Sequence, residues 1–170
     1  EAGLVIAGQS GVVLGKIRLT AANEELKQTK MRVSLVTTGN YTNLVAMSLY
    51  DGSTLVAGPV PVDSSGNADF SGMSFVVPKD GSKTLTVKAD LNQIGPSGAA
   101  SGLNVGVTLC SGDNTGTCSN GGVDPDNTFE VRGTSAGSST IDTNGNSGNL
   151  SGREKRVRKT KPTISNASLP

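Results

Sequence analysis

The residues Lys83-Thr84-Leu85-Thr86-Val87-Lys88-Ala89-Asp90-Leu91 alternate apolar and polar side chains without a fault. A backbone with a side-chain period of two sends Leu85, Val87, Ala89 and Leu91 to one face and Thr84, Thr86, Lys88 and Asp90 to the other. The stretch therefore predicts a strand with one face buried and one face wet. Its apolar face needs a cover, and the rest of the chain reads as further strands that supply it. Residues 70–77 form a second apolar run, and Pro78-Lys79-Asp80-Gly81-Ser82 between the two supplies turn residues. Together they predict a hairpin.

The same signals recur along the chain. Residues 3–8 are a short run apolar on both faces, followed by Gln9-Ser10-Gly11. In 12–20, Val13, Gly15, Ile17 and Leu19 alternate against Leu14, Lys16, Arg18 and Thr20. One helical turn is expected over 21–26. A strand follows over 29–36 with Met31, Val33 and Leu35 on one face. The run 44–50 closes on Asp51-Gly52, a strong short hairpin signal. Its continuation over 54–62 carries Pro59 and Pro61, which confine it to a sheet edge. In 103–109, Leu103, Val105, Val107 and Leu109 are in phase, and 128–132 is the last clear strand.

Eight or nine strands punctuated by turns, with no helical periodicity of useful length, predict an all-β chain. The expected architecture is an antiparallel β-sandwich, Ig-like or jelly-roll. Composition agrees: with 34% apolar and 3% aromatic residues and neither Trp nor His, the core must be built from Val, Leu, Ile and Ala. Four parts are expected: an apolar extension over 1–11, a sandwich over 12–133, a Gly/Ser/Asn-rich linker over 134–152 and a basic tail over 153–170. The first residue is not Met, and both a processed, mature start and a trimmed chain are open readings.

Three stretches carry a resemblance: Val13-Leu14-Gly15-Lys16-Ile17-Arg18-Leu19-Thr20-Ala21, Leu49-Tyr50-Asp51-Gly52-Ser53 and Val77-Pro78-Lys79-Asp80-Gly81-Ser82-Lys83-Thr84-Leu85. Residues 12–133 resemble the Ig-like sandwich modules of secreted bacterial surface proteins, including surface-layer and filament proteins. The resemblance implies a structural role at the cell surface and brings no catalytic residues with it.

Net charge is +1, but it is divided unevenly. Arg153, Lys155, Arg156, Arg158, Lys159 and Lys161 against Glu154 give the tail +5, which leaves −4 for the rest. The tail has three readings: an anionic surface or nucleic acid, a protease site at the dibasic Lys155-Arg156, or docking on an acidic partner. It has no aromatic residue on which bases stack, so nucleic acid is not expected. A copy of this chain offers an acidic surface.

Cys110 and Cys118 flank seven residues rich in Gly, Asn and Thr. A disulfide is expected, worth about 2–3 kcal/mol by chain entropy, and it implies an oxidising, extracellular or cell-surface location. A zinc site would need more ligands than two Cys in a chain without His. Asp113, Asn114, Asp124, Asp126 and Asn127 gather oxygen ligands in one loop; they read as a solvated acidic loop or as a calcium site, although no EF-hand spacing is present. No other cofactor is expected. Asn40, Asn149 and Asn166 match the glycan acceptor pattern, a pattern that chance also produces in a chain this rich in Asn, Ser and Thr.

Enzyme chemistry is not expected. Without His the usual general base is missing, and no nucleophile elbow, P-loop or dinucleotide fingerprint is present. No apolar run is long enough for membrane insertion. The expected function is a structural subunit of an extracellular filament or surface layer, in which identical subunits form a homopolymer by exchanging end segments. Leu4, Val5 and Ile6 suit strand addition to a neighbour, with Val157 and Ile164 less suited, and the tail's charge adds a salt-sensitive term. The alternative is an adhesin or carbohydrate-binding module that recognises glycans through the 110–127 loop.

Overall fold

The computed structural model describes residues 3–110, 129–133, 140–141, 150–151 and 154–159. In chain order the strands are β1 (Gly3–Ile6), β2 (Val12–Thr20), β3 (Leu26–Leu35), β4 (Leu44–Asp51), β5 (Thr54–Pro61), β6 (Asn67–Phe70) and β7 (Phe75–Val77). There follow β8 (Ser82–Leu91), β9 (Asn104–Val105), β10 (Val107–Cys110), β11 (Glu130–Gly133), β12 (Thr140–Ile141), β13 (Leu150–Ser151) and β14 (Lys155–Arg158). A 3-10 helix over Thr38–Asn43 precedes β4, and no α-helix lies among the described residues. The chain is all-β and sandwich-like.

One sheet runs β2-β8-β4-β5, antiparallel throughout. Leu85, Val87, Ala89 and Leu91 of β8 are buried, as the alternation requires. The Asp51-Gly52 turn closes a true hairpin between β4 and β5, with Gly52 at φ +61 and Asp51 opposite Thr54. The proline-bearing β5 takes the sheet edge, where missing N–H donors cost no ladder bond.

The second sheet is organised on β3. Its first half pairs with β7 on one edge and β11 on the other, and its second half pairs with β6 and β10. β12 extends β11 and β13 extends β10, so the described residues of the expected linker are short strands. Met31, Val33 and Leu35 join the β8 residues in one buried cluster drawn from both sheets. The sheets meet closely: a Cβ on Gly15 of β2 would lie 3.0 Å from Val107 Cγ2 of β10.

Four local expectations need correction. Residues 70–77 and 83–91 are not a hairpin. The run breaks into β6 and β7, both paired with β3, while β8 lies in the other sheet between β2 and β4. The 78–81 turn, closed by Gly81 N–H donating to Pro78 O at 3.0 Å, is an arch between sheets. Alternation reports which face is buried and is silent about the neighbour.

The helical turn over 21–26 is absent. Asn23 sits in the left-handed region at φ +71, its N–H donates to Asp80 Oδ1 at 2.9 Å, and Ala21 N–H donates to Gly81 O at 2.9 Å. Those bonds tie the segment to the arch in place of a helical ladder.

The phase of β2 also differs. Val12 and Leu14 point inward and Val13 is exposed, and a bulge between Val13 and Gly15 then lets Ile17, three residues after Leu14, point inward as well. An extra residue in one strand shifts every later side chain by one. Finally, 103–109 breaks at Gly106 into β9 and β10, which belong to different sheets.

Candidate functional site

Two stretches expected to reach toward other molecules meet each other. β1 pairs in parallel with β14, Gly3 opposite Lys155, Leu4 opposite Arg156, Val5 opposite Val157 and Ile6 opposite Arg158. β14 pairs on its other edge with β9, antiparallel, to complete a three-stranded sheet β1-β14-β9. β14 is therefore internal to its sheet and β1 is an edge.

The period of two sorts these residues by chemistry. Val5, Val157 and Val105 are buried, Val157 completely, and lock the small sheet onto the common core. Lys155 stands beside them, half-buried. The opposite face carries Leu4, 50% exposed, and Ile6, 37% exposed, beside exposed Arg156 and half-buried Arg158. Aliphatic and guanidinium groups thus share one outward surface in a fixed register. Lys159 follows, exposed. Val157, whose part in strand addition was expected to be minor, is the deepest anchor of the sheet.

Glu154, the single acid of the basic tail, docks the tail onto the body. Its Oε1 accepts from Thr37 Oγ1 at 3.2 Å and its Oε2 accepts from Asn104 Nδ2 at 3.3 Å. Gly106 lies so close that a Cβ there would sit 2.8 Å from Glu154 Cγ. Val157 N–H donates to Leu103 O at 2.8 Å, and Arg156 Nε donates to Gly102 O at 3.0 Å. Sequence reasoning passed over Glu154; its lone acidic charge among bases is the signal that marks it.

The connection from β1 to β2 turns through two left-handed glycines, Gly8 at φ +77 and Gly11 at φ +68. Side-chain-bearing residues rarely adopt that region. Gly8 N–H donates to Asn92 O at 3.0 Å, Leu91 N–H donates to Gln9 O at 2.9 Å and Gly11 N–H donates to Asp90 Oδ1 at 2.8 Å. The turn is thereby fastened to the end of β8, whereas β1 itself is held by β14 and by Val5.

A second polar cluster was not legible in sequence. Glu130 of β11 is buried opposite Lys30 of β3. Its carboxylate accepts from Arg132 Nε at 2.8 Å and Thr29 Oγ1 at 2.5 Å, and Lys30 Nζ lies 3.3 Å away. The Arg132 bond and then the Thr29 hydroxyl pull its pKa from 4.5 down to about 2, against the opposing effect of burial. The Arg132 guanidinium is correspondingly shifted upward by Glu130. Thr29 and Lys30 of β3 hold the carboxylate across the strand pair and Arg132 holds it from within β11, which is a structural clamp on the β3–β11 pair.

Several expected site residues lie outside the described residues: Arg153, Lys161 and Ile164 of the tail, Cys118, the acidic loop with Asp113, Asp124 and Asp126, and the acceptors Asn149 and Asn166. Cys110 ends β10, its backbone paired with Arg32. Asn40 is half-buried in the 3-10 helix, and its Nδ2, the atom a glycan would occupy, donates to Asn104 O at 2.7 Å. Among the described residues no three His, Cys, Asp or Glu gather as a metal site would require. No helix among them is long and apolar enough to cross a membrane. No family model, curated protein or solved structure matches this chain.

Proposed function

We propose that this protein is a structural subunit of an extracellular filament or surface layer, an Ig-like or jelly-roll sandwich joined head-to-tail to identical copies by exchange of β1. The observation that carries the reading is the reciprocal pairing of β1 with β14. Each of these segments supplies what the other lacks, and the same bonds form equally well within one copy or between two. β1 is a four-residue edge strand with Val5 as its buried anchor, and glycines turn the chain beside it. Releasing it costs about 1.5–3 kcal/mol of apolar burial together with its backbone bonds. Donation to the β14 of an identical neighbour recovers both. Such a contact is heterologous, and repeated without closure it produces a fibre.

The charge asymmetry supports the same reading. A tail of +5 on a body of −4 attracts successive copies, and salt weakens that attraction. The outward face of Leu4, Ile6, Arg156 and Arg158 is where a neighbour's acidic surface would meet both kinds of side chain.

The test separates exchange from self-pairing. A Val5→Cys variant and a Val157→Cys variant are mixed, allowed to assemble and oxidised. A covalent bond between the two variants, resolved by mass spectrometry from bonds to Cys110 or Cys118, is the expected result. Deletion of 1–9 should abolish assemblies seen by size exclusion and electron microscopy. Normal polymers from that deletion, with no bond between the mixed variants, would overturn strand exchange.

A further inference from the structure

A cavity of about 110 Å³ lies between the two sheets beside β2, lined by Leu19, Thr20, Leu26, Gln28, Val77, Phe129 and Val131. Leu26 and Gln28 are two apart on β3 and share its inner face. Val77 of β7 stands opposite Leu26, and Val131 of β11 stands opposite Gln28. Phe129, Val77 and Val131 are buried, and Leu19 of β2 contributes from the facing sheet. The lining is aliphatic and aromatic apart from Thr20 and Gln28.

Gln28 is out of character with those surroundings. It is 1% exposed, at a position where an aliphatic side chain would pack. Its Nε2 donates to Glu130 O at 3.1 Å and to Lys30 O. Both partners are carbonyl oxygens, which can only accept, so the orientation of the amide is determined and its oxygen is the other end. That Oε1 is buried and has no hydrogen-bond partner among the described residues. Buried acceptors without partners are rare because they forgo the bonds that water would supply. A water is a poor remedy here: buried waters make about three hydrogen bonds, and this lining offers few polar groups.

We propose that this cleft binds a small uncharged molecule that is largely apolar and carries one hydrogen-bond donor, which Gln28 Oε1 accepts once binding shifts the side chains that enclose that atom. The cavity volume limits the occupant to about a single ring or a short branched chain, since a cavity of about 150 Å³ accepts benzene. A charged occupant is disfavoured, because the nearby Glu130 is already neutralised by Lys30 and Arg132. A phenol or a small alcohol has the required chemistry. The inference is independent of strand exchange, since none of the cleft residues belongs to β1 or β14.

The experiment titrates the full chain with phenol, and separately with benzene, while backbone amides of Leu26, Gln28, Val77 and Val131 and the Gln28 side-chain NH₂ are followed by nitrogen–proton NMR. Phenol should produce saturable shifts at these groups, and benzene, which lacks the donor, should bind about tenfold more weakly or worse. Val131→Phe, which fills the cleft, should abolish binding of both. Gln28→Met should reduce phenol to the level of benzene; should that variant not fold, the phenol-to-benzene ratio in the unaltered chain decides. Absence of saturable phenol shifts, equal affinity for the two probes, or binding that survives Val131→Phe overturns the proposal.

Discussion

Val87 and Val157 are the same residue type, both completely buried, in two very different sheets. Val87 lies in the ten-residue β8, flanked along its length by β2 and β4. Val157 lies in the four-residue β14, flanked by the four residues of β1 and the two of β9. Equal burial therefore does not mean equal support. Around Val87, removing one contact leaves many backbone bonds in place. Around Val157, the cover is a short edge strand that a few broken bonds release. Stability is distributed in cooperative units, and elements with few backbone bonds open first.

The largest effect is expected for Val87→Ala. Two methyl groups leave a cavity in the two-sheet core, at a cost of about 2–3 kcal/mol in urea unfolding. A loss near zero would show the central sheet to be as loosely supported as the small one.

Glu130→Gln is expected to cost about 1–3 kcal/mol at neutral pH, from charge-assisted hydrogen bonds lost to Arg132 and Lys30. Its pH dependence sharpens the contrast between a clamped and an unclamped strand pair. The folded pKa of about 2 lies below the ordinary 4.5, so the unfolded chain binds the proton more readily. The stabilisation is complete above about pH 4.5 and is lost as pH falls toward 2. The unaltered chain should lose stability through that window, and Glu130→Gln should lose less. Parallel pH profiles would remove Glu130 from the account.

Val157→Ala should have the smallest effect on global unfolding, under about 1 kcal/mol, because the small sheet opens ahead of the core. The same change should speed hydrogen exchange at Val5, Ala7 and Val157 while leaving Leu85 and Val87 unaffected. A global loss matching that of Val87→Ala would make the two sheets one cooperative unit and weaken the case for releasing β1.

How far the sequence reaches depends on the span of each interaction. The β8 alternation and the Asp51-Gly52 turn each express forces within a few residues, and both are present as read. The β2 bulge carried a local mark, Gly15 inside an apolar run, yet Val13 and Leu14 offered two equally apolar phases. The terminal segments were legible as strand-forming and basic, but not their mutual pairing, which joins residues 3–6 to 155–158. Nor were Glu130 and Gln28, whose burial depends on which strands flank β3.

The amino-acid order by itself determined an all-β chain, the inward faces of β8 and of the second half of β3, and the charge division, because side-chain period, turn geometry and charge are local properties. Tertiary structure alone decided that 78–81 crosses between sheets, that β1 lies on β14 and that an amide oxygen is stranded beside an apolar cleft. Backbone hydrogen bonds are chemically alike for every strand. The choice among neighbours is made only when the whole apolar surface is buried at once.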